Sequence, residues 1–150
     1  MKWKNFFQRK NFTGVRLHVI PSGHLIVKAF INGRKGRFVL DTGASHTCID
    51  LSRAAYYRLQ PIESDETATG AGTRDIEMMQ AFEVRFKLGK WRHDNLHMAL
   101  LDLSHINSAF ASMHLPPVDG VIGSDILMLS EAVIHYGKKK LWLKKRIFRY

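Results

Sequence analysis

The sequence predicts a mainly β domain with short helices, and three observations carry that expectation. Short apolar runs recur between turn residues, as in Val15 to Ile20 and His24 to Ile31 around Pro21-Ser22-Gly23. A partly alternating stretch, Ala81-Phe82-Glu83-Val84-Arg85-Phe86-Lys87-Leu88, sits inside a long extended run from Ile76 and pairs across Gly89-Lys90 with Arg92 to Leu101. Finally, no linker, repeat or low-complexity tract divides the chain, so its 150 residues at 45% hydrophobic content read as one domain able to bury a core without staples.

Taken in order, residues 1–13 read as a basic, aromatic arm and residues 14–150 as the domain. After the first two strands, Asn32-Gly33 opens a loop that ends before a strand from Arg37 to Leu40. Asp50 or Ser52 caps a short helix through Leu59, closed by Pro61. Leu103 to Met113 reads as helix, stopped by Pro116-Pro117. Val121-Ile122 is a short strand running into Gly123, with Ser124 as N-cap of a short helix. Strands from Ala132 to Tyr136 and Lys140 to Leu143 close the domain around Gly137.

The most unusual element is the end of the Arg37 strand. Phe38-Val39-Leu40 delivers Asp41 into the turn Thr42-Gly43-Ala44. An ionised carboxylate closing an apolar strand pays for desolvation unless partners accept it, so Asp41 asks for a chemical explanation. Gly43 permits a sharp turn and close approach of another chain, and Thr42 can hydrogen-bond the frame.

Together, Leu40-Asp41-Thr42-Gly43-Ala44 and Val121-Ile122-Gly123 resemble the two signatures of the retropepsin-like aspartic proteases, the single-lobe relatives of pepsin that include the retroviral enzymes. The resemblance spans roughly residues 14 to 145, and the Ala44 form matches the retroviral variety. It implies a closed β-barrel of the acid protease fold, one lobe per chain, and hydrolysis of peptide bonds without metal or other cofactor. It also implies catalytic roles for Asp41, Thr42 and Gly43 and substrate contacts from Ala44. The family places a mobile hairpin over the substrate where Glu66 to Arg74 lies, which makes Gly70, Ala71 and Gly72 binding candidates. That chemistry needs two carboxylates sharing a proton, whereas Asp-Thr-Gly occurs once here. A homodimer with one Asp41 from each copy supplies the second acid.

Several residues depart from the pattern. Ser124 stands where retroviral relatives often carry an Arg that ties the loop to the partner subunit. His46 beside the turn reads as incidental and His135 receives no role. Extra length between Gly89 and Pro117 has no assigned purpose.

Composition bounds the alternatives. The single cysteine, Cys48, excludes an internal disulfide and reads as a buried, inert thiol in Thr47-Cys48-Ile49. The eight scattered histidines give no zinc-ligand spacing. The start has no apolar run of signal-peptide length, so a soluble, cytoplasmic protein is expected. The balance of 23 Lys plus Arg against 13 Asp plus Glu gives a formal charge of +10, with seven cations between Lys138 and Arg149. A basic edge of this kind attracts nucleic acid, an anionic membrane surface or an acidic polypeptide, although Leu141-Trp142-Leu143 inside it reads as a terminal strand with solvated flanks. The competing functional reading is therefore a catalytically inactive, protease-like binding module that docks nucleic acid or an acidic protein on this edge.

Overall fold

The computed structural model describes residues 2–68 and 76–146. Its centre is a closed ring of six strands. β1 (Phe12–Arg16) and β2 (His18–Val19) lead into β3 (Leu25–Ile31) and β4 (Arg34–Leu40), an antiparallel hairpin with Leu25 opposite Leu40 and Ile31 opposite Arg34. The connection is shorter than the sequence suggested. Asn32 and Gly33 both have positive φ, 50° and 80°, the backbone pair that a two-residue hairpin turn requires. The strand thus begins at Arg34, and Lys35 hides it from hydropathy by pointing to solvent.

β5 (Cys48–Asp50) is followed by a single 3-10 turn, Leu51–Arg53, where a helix to Leu59 was expected. Asp50 does cap it, accepting the Ser52 N–H at 3.3 Å. Beyond it the chain continues in hydrogen-bonded turns as far as Arg58, whose φ of 56° ends the right-handed run. β6 (Ile62–Ala68) and β7 (Ile76–Leu88) run antiparallel, and β7 pairs with β8 (Trp91–Leu101) across Gly89-Lys90 as the alternation predicted. The break in that alternation, Phe82-Glu83, is a register irregularity with Glu83 at φ 56°. α2 (Ser104–Ser112) follows, then β9 (Gly120–Ile122) and α3 (Ser124–Leu129). Ser124 is the first helical residue of α3 and makes no capping bond; Gly123 takes the cap position.

The sheet combines parallel and antiparallel pairings. β9 lies between β4 and β5, parallel to the first and antiparallel to the second, and β5 is parallel to β8. Phe30 and Ile31 of β3 pair with Lys87 and Phe86 of β7, which closes the ring β3-β4-β9-β5-β8-β7. Val27, Ala29, Ile31, Phe38, Ile49, Val84, Leu88 and Leu100 point inward and are fully buried. Each of the larger side chains contributes about 1.5–3 kcal/mol of hydrophobic stabilisation relative to exposure.

A second sheet, in the order β1-β11-β10, joins β1 to β11 (Lys140–Lys144) and β10 (Val133–His135). Helix α1 (Trp3–Arg9) occupies most of the arm, and Phe7 stacks on Trp142 with ring centroids 4.7 Å apart. This packing explains the apolar run in the basic terminus. Leu141 and Leu143 belong to the barrel core, while Trp142 faces the other way and is covered by Phe7 and by β1, where a side chain at Gly14 would press into the indole at 2.9 Å.

Candidate active site

The turn at Asp41 is built from three backbone facts. Its N–H donates to the Ile122 carbonyl at 3.0 Å, extending the parallel β4–β9 ladder by one rung beyond Leu40. The Gly43 N–H then donates to Asp41 Oδ1 at 2.9 Å, and the Ala44 N–H closes the turn on the Asp41 carbonyl at 3.2 Å. Asp41, Thr42 and Gly43 are exposed and Ala44 is half-buried. The desolvation expected of an acid at the end of an apolar strand is therefore not incurred within one chain. The strand stays apolar up to Leu40, and the carboxylate emerges beyond its rim.

Beneath the turn lies a set of polar contacts that the sequence did not single out. Thr47, only 1% exposed, donates its hydroxyl to Asp125 Oδ1 at 2.7 Å and accepts the Gly123 N–H at 3.0 Å. Its own N–H donates to the same carboxylate, at 3.0 Å to Oδ1 and 2.9 Å to Oδ2. The Ser124 N–H donates to the Ala44 carbonyl at 2.7 Å. Gly123 fits because a Cβ there would stand 2.7 Å from the Ala44 oxygen and 2.9 Å from the His46 backbone. The only sequence signal for this brace was the pairing of the two signatures, since Thr47 reads as an ordinary polar residue in a short strand.

A different acid anchors the far end of β9. Asp119 accepts from Arg53 Nε at 3.0 Å, from the Tyr57 hydroxyl at 2.7 Å and from the Arg37 N–H at 3.3 Å. Burial first, and then this bond to Asp119, push the Tyr57 phenol well above its usual range, so it remains a donor. A side chain at Gly36 would collide with that hydroxyl. Asp119 thus locks the entry of β9, a strand length away from Asp41.

Beside the turn, His46, Thr47 and Asp125 form one wall of a small pocket of about 160 Å3, with Met78, Gln80, His97 and Ala99 from β7 and β8 opposite. His97 Nε2 and Gln80 Oε1 lie 2.7 Å apart. Cys48 behind it is buried, and burial pushes its thiol up to about 11, which keeps it protonated and unreactive. Among the described residues no group of three or more His, Cys, Asp or Glu side chains is gathered to hold a metal ion. Gly70, Ala71 and Gly72 lie outside the described residues; the strands that lead to them pair antiparallel, with Ala68 opposite Ile76.

A six-stranded ring that presents one Asp-Thr-Gly turn, held from behind by a buried apolar-apolar-Gly strand, is the retropepsin-like form of the aspartic protease fold. Solved structures agree at the level of the fold. A retropepsin-like aspartic protease from Rickettsia conorii superposes with a TM-score of 0.63 over 89% of this chain and 92% of that one, at 18% identity. The retroviral protease-like domain of Ddi1 from Leishmania major gives 0.57 over 82% and 90%, at 16% identity. The EIAV protease, solved with an inhibitor, gives 0.56 over 73% and 90%, at 19% identity. No curated protein sequence matches the chain. The family described as Aspartyl protease matches residues 27–126, from β3 into α3, and the chain belongs to that family.

Proposed function

We propose that the protein is an aspartic endopeptidase that works as a homodimer, with Asp41 of each copy supplying half of a carboxylate pair. The observation that carries this reading is the presentation of Asp41: an exposed acid, on a turn fixed by backbone bonds to β9, in a sequence where Asp-Thr-Gly occurs once. Two like charges brought close cannot both ionise, so the pair holds one proton. The ionised carboxylate takes a proton from a water lying between the two, and the water oxygen attacks the scissile carbonyl carbon. The protonated carboxyl polarises the carbonyl oxygen and gives up its proton as the tetrahedral intermediate forms. Collapse of that intermediate breaks the C–N bond as the leaving nitrogen gains a proton. Thr42 braces the two loops across the twofold axis, Gly43 permits their approach, and Ala44 with Gly70, Ala71 and Gly72 contacts the bound polypeptide.

Self-association is supported by an exposed apolar patch on the element next to the turn. Met128 and Leu129 at the end of α3 are 78% and 48% exposed, and α3 itself is bonded to the Asp41 turn through Ser124. A surface of this kind can replace the Arg that relatives carry at the Ser124 position.

The test is proteolysis of an unstructured polypeptide over a dilution series, with sedimentation at the same concentrations. Specific activity falls as dimers dissociate, and Asp41→Asn abolishes cleavage. A monomer that is fully active at every dilution rejects the shared site, and full activity in Asp41→Asn rejects the assignment of Asp41.

A further inference from the structure

A recess of about 980 Å3 lies away from the Asp41 turn, between α1 and the β1-β11-β10 sheet. Six lysines line it: Lys2, Lys4, Lys90, Lys138, Lys140 and Lys145. Among the described residues no carboxylate and no arginine lines it, and none of the six lysines takes part in an ion pair there. Uncompensated charge of one sign in a concave site focuses its field and concentrates anions there.

The aromatic wall narrows the class of anion. Trp3, Phe7 and Trp142 form a continuous stack, with centroids 6.0 Å and 4.7 Å apart and ring planes within 24° and 18°. Phe7 and Trp142 are buried, whereas Trp3 is 56% exposed, so the stack ends on an open indole at the edge of the recess. Trp3 also meets His135 and Phe6 edge to face, at 5.8 Å and 6.4 Å, and its exposed part offers a flat aromatic ligand a surface to stack on. Carboxylate partners favour the bidentate fork of Arg, which none of the described lining residues supplies, while Lys serves phosphate as a point charge. A bilayer surface is flat and does not fill a recess. We propose that this groove binds single-stranded nucleic acid, with the lysines on successive phosphates and a base stacked on Trp3.

The test is fluorescence anisotropy of a labelled twelve-nucleotide single strand with the full-length protein at physiological salt, repeated over a salt series. Engagement of four to six phosphates gives a log–log salt slope of about −3 to −4. The Lys138→Glu/Lys140→Glu variant weakens binding at least tenfold and flattens the slope by about 1.4. Trp3→Ala weakens it at least fivefold. A charge-matched control at exposed positions outside the groove, Lys28→Glu/Lys35→Glu, stays within about twofold of the parent. Thermal melts of each variant separate loss of binding from loss of fold. Equal weakening by control and groove variants, or an unchanged affinity in Trp3→Ala, overturns the proposal. So does a twelve-residue polyglutamate bound as tightly, which assigns the groove to acidic polypeptide, or groove-dependent binding to phosphatidylserine vesicles without binding to the oligonucleotide.

Discussion

Thr47 and Asp125, far apart in sequence, are joined by three hydrogen bonds of 2.7 to 3.0 Å directly beneath the turn that carries Asp41. The threonine hydroxyl works in both directions: it donates to the carboxylate and accepts the Gly123 N–H. Through this one oxygen the strand after the turn, the glycine beneath it and the first turn of α3 are held as a unit.

Thr47→Val keeps the shape and removes that oxygen. It leaves the Gly123 N–H unpaired in a buried position and weakens the hold on Asp125, so unfolding free energy in urea drops by about 2–3 kcal/mol. Thr47→Ser, which keeps the hydroxyl, loses less than half as much. Equal losses in the two variants would show that packing, rather than the hydrogen bonds, is what Thr47 provides.

Gly123→Ala tests the steric side of the same brace. The added methyl meets the Ala44 and His46 backbones at under 3 Å, and rigid β9 cannot retreat between β4 and β5. The turn shifts instead, so peptidase activity falls on the order of a hundredfold, the cost of misplacing a reacting group by about 1 Å. Activity within a factor of a few of the parent, with the fold intact, rules out this tight coupling between Gly123 and the turn.

Two acids are expected to separate fold from chemistry. Asp119→Ala strands the Arg53 guanidinium, the Tyr57 hydroxyl and the Arg37 N–H together, and costs about 3 kcal/mol or more of stability. Asp41→Asn keeps an oxygen for the Gly43 N–H on an exposed turn, and changes stability by about 0.5 kcal/mol or less. Denaturation midpoints of the two variants measured side by side decide it; an Asp41→Asn protein as unstable as Asp119→Ala would make Asp41 a structural residue.

The buried Cys48 thiol gives a pH dependence with a definite sign. Its ordinary value is 9.0 and burial raises it to about 11 in the folded protein, so the folded state keeps a proton that the unfolded state releases. Its stabilising contribution is complete below pH 9 and declines as the pH rises from 9 towards 11, by a total of order 2 kcal/mol. Tyr57, raised from 10.0, adds a loss of the same sign above pH 10. Cys48→Ala removes the first component alone, and its unfolding free energy between pH 9 and 10 should be flatter than the parent's. Identical slopes in the two proteins would contradict the burial of the thiol.

What the chain disclosed in advance depended on the range of the interaction. The Asp41 turn and the Val121-Ile122-Gly123 strand are local patterns, and the β7–β8 hairpin writes its alternation within a few residues of its turn, so all three were legible. β5 was not, because three residues carry no period, and β6 was hidden by the charges in Ile62-Glu63-Ser64-Asp65-Glu66. The parallel pairings of β4 with β9 and of β5 with β8 depend on segments that meet only in the fold. For the same reason Thr47, Asp119 and Tyr57 looked ordinary: their importance lies in partners 62 to 82 residues away. The arm became a helix because Phe7 found Trp142, which no local propensity announces.

The insertion of β9 between β4 and β5 also sets an order of events in the life of each molecule. On the ribosome, Asp41 emerges long before the residues that hold its turn, since the Thr47 contacts with Gly123 and Asp125 span 76 and 78 residues. Contacts of such sequence separation form late and slowly. A nascent or truncated chain ending before Asp125 therefore displays the Asp-Thr-Gly triplet without the geometry that gives it meaning, and whatever chemistry resides at Asp41 stays silent until the chain has grown past its own brace.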